Sequence, residues 1–211
     1  PWELASTLAR RGIPLVHFST DYVFSGGDRP YRETDAVNPI NHYGVTKFAG
    51  EEAIRVSGGT HLIFRTSWLY GPTSRNFLTT IYQKILRGDS LKVVDDQIGQ
   101  PTSVDGVAAS IVALIRRVGH RELGGYTGTY HLSAAGQCSW FQYAQHIVAC
   151  SQAPHTTLTP IKSDALNTAA QRPAYSVLDT TKAKTRLGIE LSHWSKDVEE
   201  TVAVLRSTTS A

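Results

Sequence analysis

An α/β fold with a parallel sheet is what the sequence predicts, and three observations carry that expectation. Short apolar runs of strand length, Ile13-Pro14-Leu15-Val16-His17-Phe18 and His61-Leu62-Ile63-Phe64-Arg65-Thr66-Ser67, alternate with longer stretches of helical periodicity. The runs are continuous rather than alternating, as in strands buried on both faces of a parallel sheet. Polar Ser19-Thr20-Asp21 closes the first run, at the carboxyl end of a strand, where α/β proteins bind their ligands.

The other elements follow in order. Residues 4–11 read as the end of an amphipathic helix, with Gly12 where a glycine stop belongs. A long loop, 25–39, contains Gly26-Gly27, Pro30 and Pro39, and a helix over 43–56 is closed by Gly58-Gly59. Residues 76–87 place Phe77, Ile81 and Ile85 on one helical face before Gly88, and 91–94 is a short strand. The strongest helix spans 103–118, with a predicted apolar stripe of Val104, Val107, Ala108, Ile111, Val112 and Ile115. A strand at 129–132 and helices at 139–150 and 196–206 complete the pattern, and 154–173 reads as an irregular folded loop.

Composition excludes several classes. The 211 residues are enough for a core without disulfide or metal staples. At 41% hydrophobic and 18% charged the chain is not of disordered type. The net charge of +3 is scattered, so no nucleic-acid partner is expected. No apolar run approaches the roughly 20 residues of a membrane span, and no secretory signal pattern precedes the first motif. Two cysteines, Cys138 and Cys150, make no disulfide framework and suit a reducing, cytoplasmic setting as packing residues. The 8 histidines are dispersed without HExxH spacing, so no metal is expected.

Chemistry concentrates in Tyr43-Gly44-Val45-Thr46-Lys47, where a phenol and an ammonium lie four apart on one helical face. A nearby cation favours the phenolate form, which suits Tyr43 to proton transfer. Lys47 can also reach a ribose hydroxyl, and Thr20 supplies a third polar group at the strand end. Taken alone, the Tyr–Lys spacing also arises by chance on helix surfaces. No glycine-rich turn of GxGxxG or GxxGxxG type occurs, since Gly26-Gly27, Gly58-Gly59 and Gly124-Gly125 are isolated pairs.

Longer motifs add to this. Ser19-Thr20-Asp21-Tyr22-Val23-Phe24, Pro30-Tyr31-Arg32-Glu33-Thr34-Asp35 and Pro39-Ile40-Asn41-His42-Tyr43-Gly44-Val45-Thr46-Lys47-Phe48-Ala49-Gly50-Glu51 are followed in order by four more segments. These are Arg65-Thr66-Ser67-Trp68-Leu69-Tyr70-Gly71, Asn76-Phe77, Asp96-Gln97-Ile98-Gly99-Gln100-Pro101-Thr102 and Arg172-Pro173. Together they closely resemble the dTDP-4-dehydrorhamnose reductase family of extended short-chain dehydrogenases. The resemblance implies an incomplete Rossmann-like, doubly wound parallel sheet with a smaller α/β substrate-binding lobe. Residues 1–71 would belong to the dinucleotide-binding part and 72–211 mainly to the lobe, with the 103–118 helix packing back on the sheet.

The implied reaction is reduction of the 4-keto group of dTDP-4-dehydro-L-rhamnose by NADPH or NADH. Thr20, Tyr43 and Lys47 are the implied catalytic trio, with Ser19, Tyr43 and Lys47 toward the cofactor. Asp21, Trp68, Asn76, Gln100, Thr102 and Arg172 are the implied contacts to the dTDP-sugar, with homodimerisation open. Asp21 has an alternative role in capping its loop through backbone N–H groups. Family members begin with a glycine-rich turn, whereas this chain holds no methionine and opens within a helical stretch. It is therefore expected to be the carboxyl-terminal two-thirds of such an enzyme, with weak dinucleotide affinity and little or no activity of its own. Two other readings stay open: a sugar-nucleotide dehydratase or epimerase, and a non-catalytic relative of the regulatory subunit of methionine adenosyltransferase. Tyr22 stands where dehydratases of the superfamily carry Glu, and this argues for plain carbonyl reduction.

Overall fold

A computed structural model describes residues 1–152, 156–166 and 170–209 of the chain. The fold is α/β, as predicted. Helix α1 (Trp2–Arg10) leads into strand β1 (Leu15–Thr20), helix α2 (His42–Val56), and strands β2 (His61–Thr66) and β3 (Leu69–Tyr70). Helix α3 (Phe77–Leu86) is followed by strands β4 (Leu91–Val94), β5 (Ile98–Gly99) and β6 (Thr102–Ser103), then by helix α4 (Val104–Val118). Strands β7 (Gly128–His131) and β8 (Cys138–Ser139), helix α5 (Trp140–Ser151), strand β9 (Leu158–Ile161) and helix α6 (Trp194–Thr209) complete it.

Two cores result. In the first, parallel strands run in the order β1-β2-β7. One face of this sheet is covered by α1 and α2 through Ala5, Ile54 and Ile63. The other is covered by α4, whose Val107, Ile111 and Leu114 meet Leu62, Phe64 and Tyr130. The second core lies between α3, α5, α6 and β4, around Leu78, Ile85, Tyr143, Ile147, Val198 and Val202. Because β7 joins the sheet from beyond residue 71, the chain passes from one core to the other more than once.

Local sequence explains the helix starts. Asn41 caps α2 by accepting from Gly44 N at 2.8 Å, and Asn76 with Thr79, then Ser139 with Gln142, form capping boxes on α3 and α5. Gly44 permits α2 to dock, since a Cβ there would stand 2.1 Å from the Tyr22 carbonyl oxygen.

The structure also departs from the predicted elements. Strand β1 is not buried on both faces: it is one of the sheet's two outer strands among the described residues, and Phe18 is 41% exposed. The α4 stripe is rotated, with Leu114 buried and Val104 and Val112 exposed, because Leu187, Ile189 and Leu191 fill part of the same groove. The region 154–173, whose residues 154–155 and 167–169 lie outside the described set, contains β9 paired in parallel with β4. No helix among the described residues is long and apolar enough to cross a membrane.

Candidate active site

The carboxyl ends of β1 and β2, facing the first turns of α2, enclose a cavity of about 220 Å³ lined by Thr20, Tyr43, Lys47, Trp68 and their neighbours. Tyr43 is 54% exposed and its hydroxyl has no hydrogen bond among the described residues. One turn on, Lys47 Nζ donates to the Phe18 main-chain oxygen at 2.5 Å, which ties the ammonium to β1. Burial lowers the Lys47 pKa and the Glu51 carboxylate works against that. Thr20 Oγ1 accepts from Tyr22 N at 3.2 Å and donates to Asp21 Oδ1 at 3.0 Å. The three groups of the predicted trio therefore line one cavity, with the Thr20 proton engaged by its neighbour.

Asp21 forms part of the cavity lining, 2% exposed. It accepts from Ser67 Oγ at 3.2 Å and Ser176 Oγ at 2.6 Å, besides Thr20. Burial raises its carboxyl to about 6, while the Ser176, Thr20 and Ser67 hydroxyls pull the other way. The folded-state value lies above the ordinary 3.8. Between about pH 4 and 6 the folded chain thus binds this proton more tightly than the unfolded one, and the group's contribution to stability falls as pH rises. Asp21→Asn removes that slope, so urea unfolding of variant and parent should diverge in the variant's favour from about pH 4 to 6. A difference that stays flat across the window would remove Asp21 as the source.

Several predicted ligand contacts have their polar atoms engaged within the protein. Gln100 is 4% exposed. Its amide donates to the Ala134 and Leu178 oxygens, and its carbonyl accepts from Ser133 Oγ and Leu178 N. Thr102, fully buried, donates to the Gln100 oxygen and accepts from Ala134 N. Asn76 caps α3 and donates to Gly71 and Ser74 oxygens. Ser19 donates to Glu51 Oε1 at 2.5 Å rather than into the cavity.

Trp68 does reach the cavity wall, with a positive φ of 45°, a conformation that a non-glycine residue keeps only where its surroundings impose it. Those surroundings are Trp140, stacked on it with ring centroids 3.5 Å apart and planes 9° apart, and Gly99. A Cβ on Gly99 would stand 2.4 Å from the Trp68 ring. On the far side of the stack, Phe77, Ile81, Val93, Trp140 and the exposed Arg172 line a second cavity of about 170 Å³. Sequence reasoning missed Trp140, Ser67, Ser176 and Glu51; only their folded neighbours identify them.

Comparison with known proteins decides the family. The model of the RmlD substrate binding domain family matches residues 1–207. A dTDP-4-dehydrorhamnose reductase of Burkholderia thailandensis is 40% identical, over 90% of this chain and 67% of that protein. The chain belongs to the dTDP-4-dehydrorhamnose reductase family. Among solved structures, a reductase of this family from Clostridium acetobutylicum superposes with a TM-score of 0.89 at 33% identity, covering 98% of this chain and 71% of that one. The dTDP-4-dehydrorhamnose reductase of Bacillus anthracis, solved with NADP, gives 0.86 at 34% identity over 95% of this chain and 69% of its own. The cavity lined by Thr20, Tyr43 and Lys47 lies at the carboxyl ends of the sheet strands, the place where α/β folds bind their ligands.

Proposed function

We propose that the chain reduces the 4-keto group of dTDP-4-dehydro-L-rhamnose to the alcohol of dTDP-L-rhamnose, with hydride from NADPH or NADH. The observation that carries this reading is the cavity shared by Tyr43, Lys47 and Thr20 at the ends of β1 and β2. Tyr43, whose hydroxyl makes no hydrogen bond among the described residues, is the proton donor to the C4 oxygen, and the Lys47 ammonium one turn away stabilises the phenolate left behind. Thr20 assists by turning its proton from Asp21 to the substrate oxygen, which leaves Asp21 the Ser67 and Ser176 donors. Asp21, Gln100, Thr102 and Asn76 serve this site as supports beneath and beside it. The dTDP part is assigned to the second cavity, with Arg172 toward the diphosphate and the Trp68–Trp140 stack as the partition between sugar and nucleotide.

The residues suit the nicotinamide–ribose end of a dinucleotide. Phe18 and Leu69, each 41% exposed, give apolar surface at the cavity, and Lys47 supplies a donor for ribose hydroxyls. The bound nicotinamide supplies the hydride that reaches C4. Among the described residues there is no strand, glycine-rich turn and helix of the kind that seats a pyrophosphate, so the fit extends to that end alone.

Calorimetric titration of the purified chain with dTDP, and loss of NADPH absorbance with the 4-keto sugar, test the reading. Saturable dTDP binding with turnover is expected, and absence of both overturns it. Lys47→Met, which keeps the apolar stem, should cost activity near neutral pH and recover it only in part at high pH. An unchanged acidic limb of the pH–rate profile would take Lys47 out of the proton step.

A further inference from the structure

We propose that His146, Cys150 and Glu199 form a binding site for a divalent transition metal of the zinc class, joining α5 to α6. The site shares no residue with either cavity at the Trp68–Trp140 stack, and the inference stands apart from the reductase reading.

His146 and Cys150 are four apart on α5 and therefore project from one side of that helix. Glu199 comes from the facing helix α6, and one donor atom from each of the three lies within 4.8 Å of the others. His146 Nε2 is 3.3 Å from Glu199 Oε1 and 3.0 Å from the Ser195 main-chain oxygen. Four-coordinate zinc, with bonds of about 2.0–2.3 Å, separates its donors by about 3.3–3.7 Å. The imidazole and carboxylate thus already stand at the spacing of two zinc ligands, and a modest rotation of Cys150 brings in the third.

The imidazole is held in place. Its ring packs edge-on against Trp194, with centroids 5.1 Å apart and planes at 73°, so little freedom is lost when it binds. All three side chains are accessible enough for an ion and a water to enter: His146 and Cys150 are half-buried and Glu199 is exposed. The donors also set the metal class. Thiolate with imidazole favours zinc or cobalt, whereas magnesium and calcium prefer all-oxygen sites. Burial and the Glu199 charge both raise the Cys150 thiol above its ordinary value. A cation at this point reverses that influence, taking the place of the thiol proton and of the hydrogen now between Nε2 and the oxygens.

Cobalt is the probe, because it reports its ligands by colour. The purified, metal-free chain is titrated with Co²⁺ and then with Zn²⁺, and thermal unfolding is followed with and without Zn²⁺. One equivalent of Co²⁺ should produce a thiolate-to-cobalt charge-transfer band in the near ultraviolet, which Zn²⁺ abolishes by displacement. Zn²⁺ should raise the melting temperature. In Cys150→Ser the band should vanish while the metal-free melt matches the parent, and Glu199→Gln should weaken binding at least tenfold. Cys138 is the internal control, being 2% exposed in the second core. A band that persists in Cys150→Ser, or no band and no Zn²⁺-dependent shift in the parent, overturns the site and leaves His146 and Glu199 in a plain polar contact.

Discussion

Tyr43→Phe lowers kcat by about 10²–10⁴-fold, the usual contribution of a positioned general acid, while dTDP affinity and melting temperature stay those of the parent. The two outcomes have separate causes. The hydroxyl is the only group removed, and among the described residues it makes no hydrogen bond, so no such contact is lost from the fold. The ring keeps its edge-on contact with Tyr22, at a centroid distance of 6.1 Å. Steady-state rates at saturating 4-keto sugar, with a thermal melt of the same preparation, check both halves. A near-normal kcat in the Phe variant excludes Tyr43 as the acid.

The second large effect is on stability. Glu51→Ala should cost about 3–5 kcal/mol, the range for removing one partner of a buried ion pair. Glu51 is fully buried and Arg65 2% exposed. Arg65 approaches the carboxylate with Nε at 3.0 Å and Nη2 at 2.7 Å, and Arg55 Nη2 lies at 2.6 Å. Burial by itself raises the Glu51 pKa; the Arg65 hydrogen bonds and charge, with Ser19 and Arg55, more than reverse this and leave it lowered. Its contribution is therefore present at neutral pH and is lost as pH falls through the carboxylate range. Without Glu51, the Arg65 guanidinium stays buried beside His131, at 3.5 Å, and the Phe24 ring. Because Glu51 lies one turn beyond Lys47 on α2, kcat should fall as well. Urea unfolding at neutral pH gives the number, and a loss below about 1 kcal/mol contradicts the assigned weight of this pair.

Much of the fold was legible because it is locally encoded. The caps Asn41, Asn76, Ser103 and Ser139 stand where apolar periodicity begins, and Gly12 and Gly88 stand where it ends with positive φ. Strand β9 was not legible because Pro160 argues against a strand. Proline is tolerated there because, among the described residues, β9 pairs with β4 alone, at the edge of a two-stranded sheet. Strands of two residues, such as β3, β5, β6 and β8, are too short to show any period.

In the site, Thr20, Tyr43 and Lys47 could be picked out by residue type and spacing. The burial of Asp21, Gln100 and Thr102 could not. Residues 133–134 and 176–178, remote in the chain, supply the partners that close around them. The Cys150–Glu199 proximity is equally invisible from spacing, since it depends on how α5 and α6 pack.

The bond from Ser176 to Asp21 crosses 155 residues of chain. Beside it, Tyr31 N donates to the Val177 oxygen at 2.8 Å and Asp179 N to the Tyr31 oxygen at 2.7 Å, so the segment after β1 is clamped by one made much later. At about 5–20 residues per second of synthesis, Thr20 and Asp21 emerge roughly 8–30 seconds before the segment that seals them. Through that interval the helix bearing Tyr43 and Lys47 can form, while the Asp21 carboxylate stands open to water and Thr20 has no fixed partner arrangement. A nascent chain halted before residue 176 therefore displays the helix bearing Tyr43 and Lys47 without a closed pocket, and the cavity takes its shape only once residues 176–179 have been added.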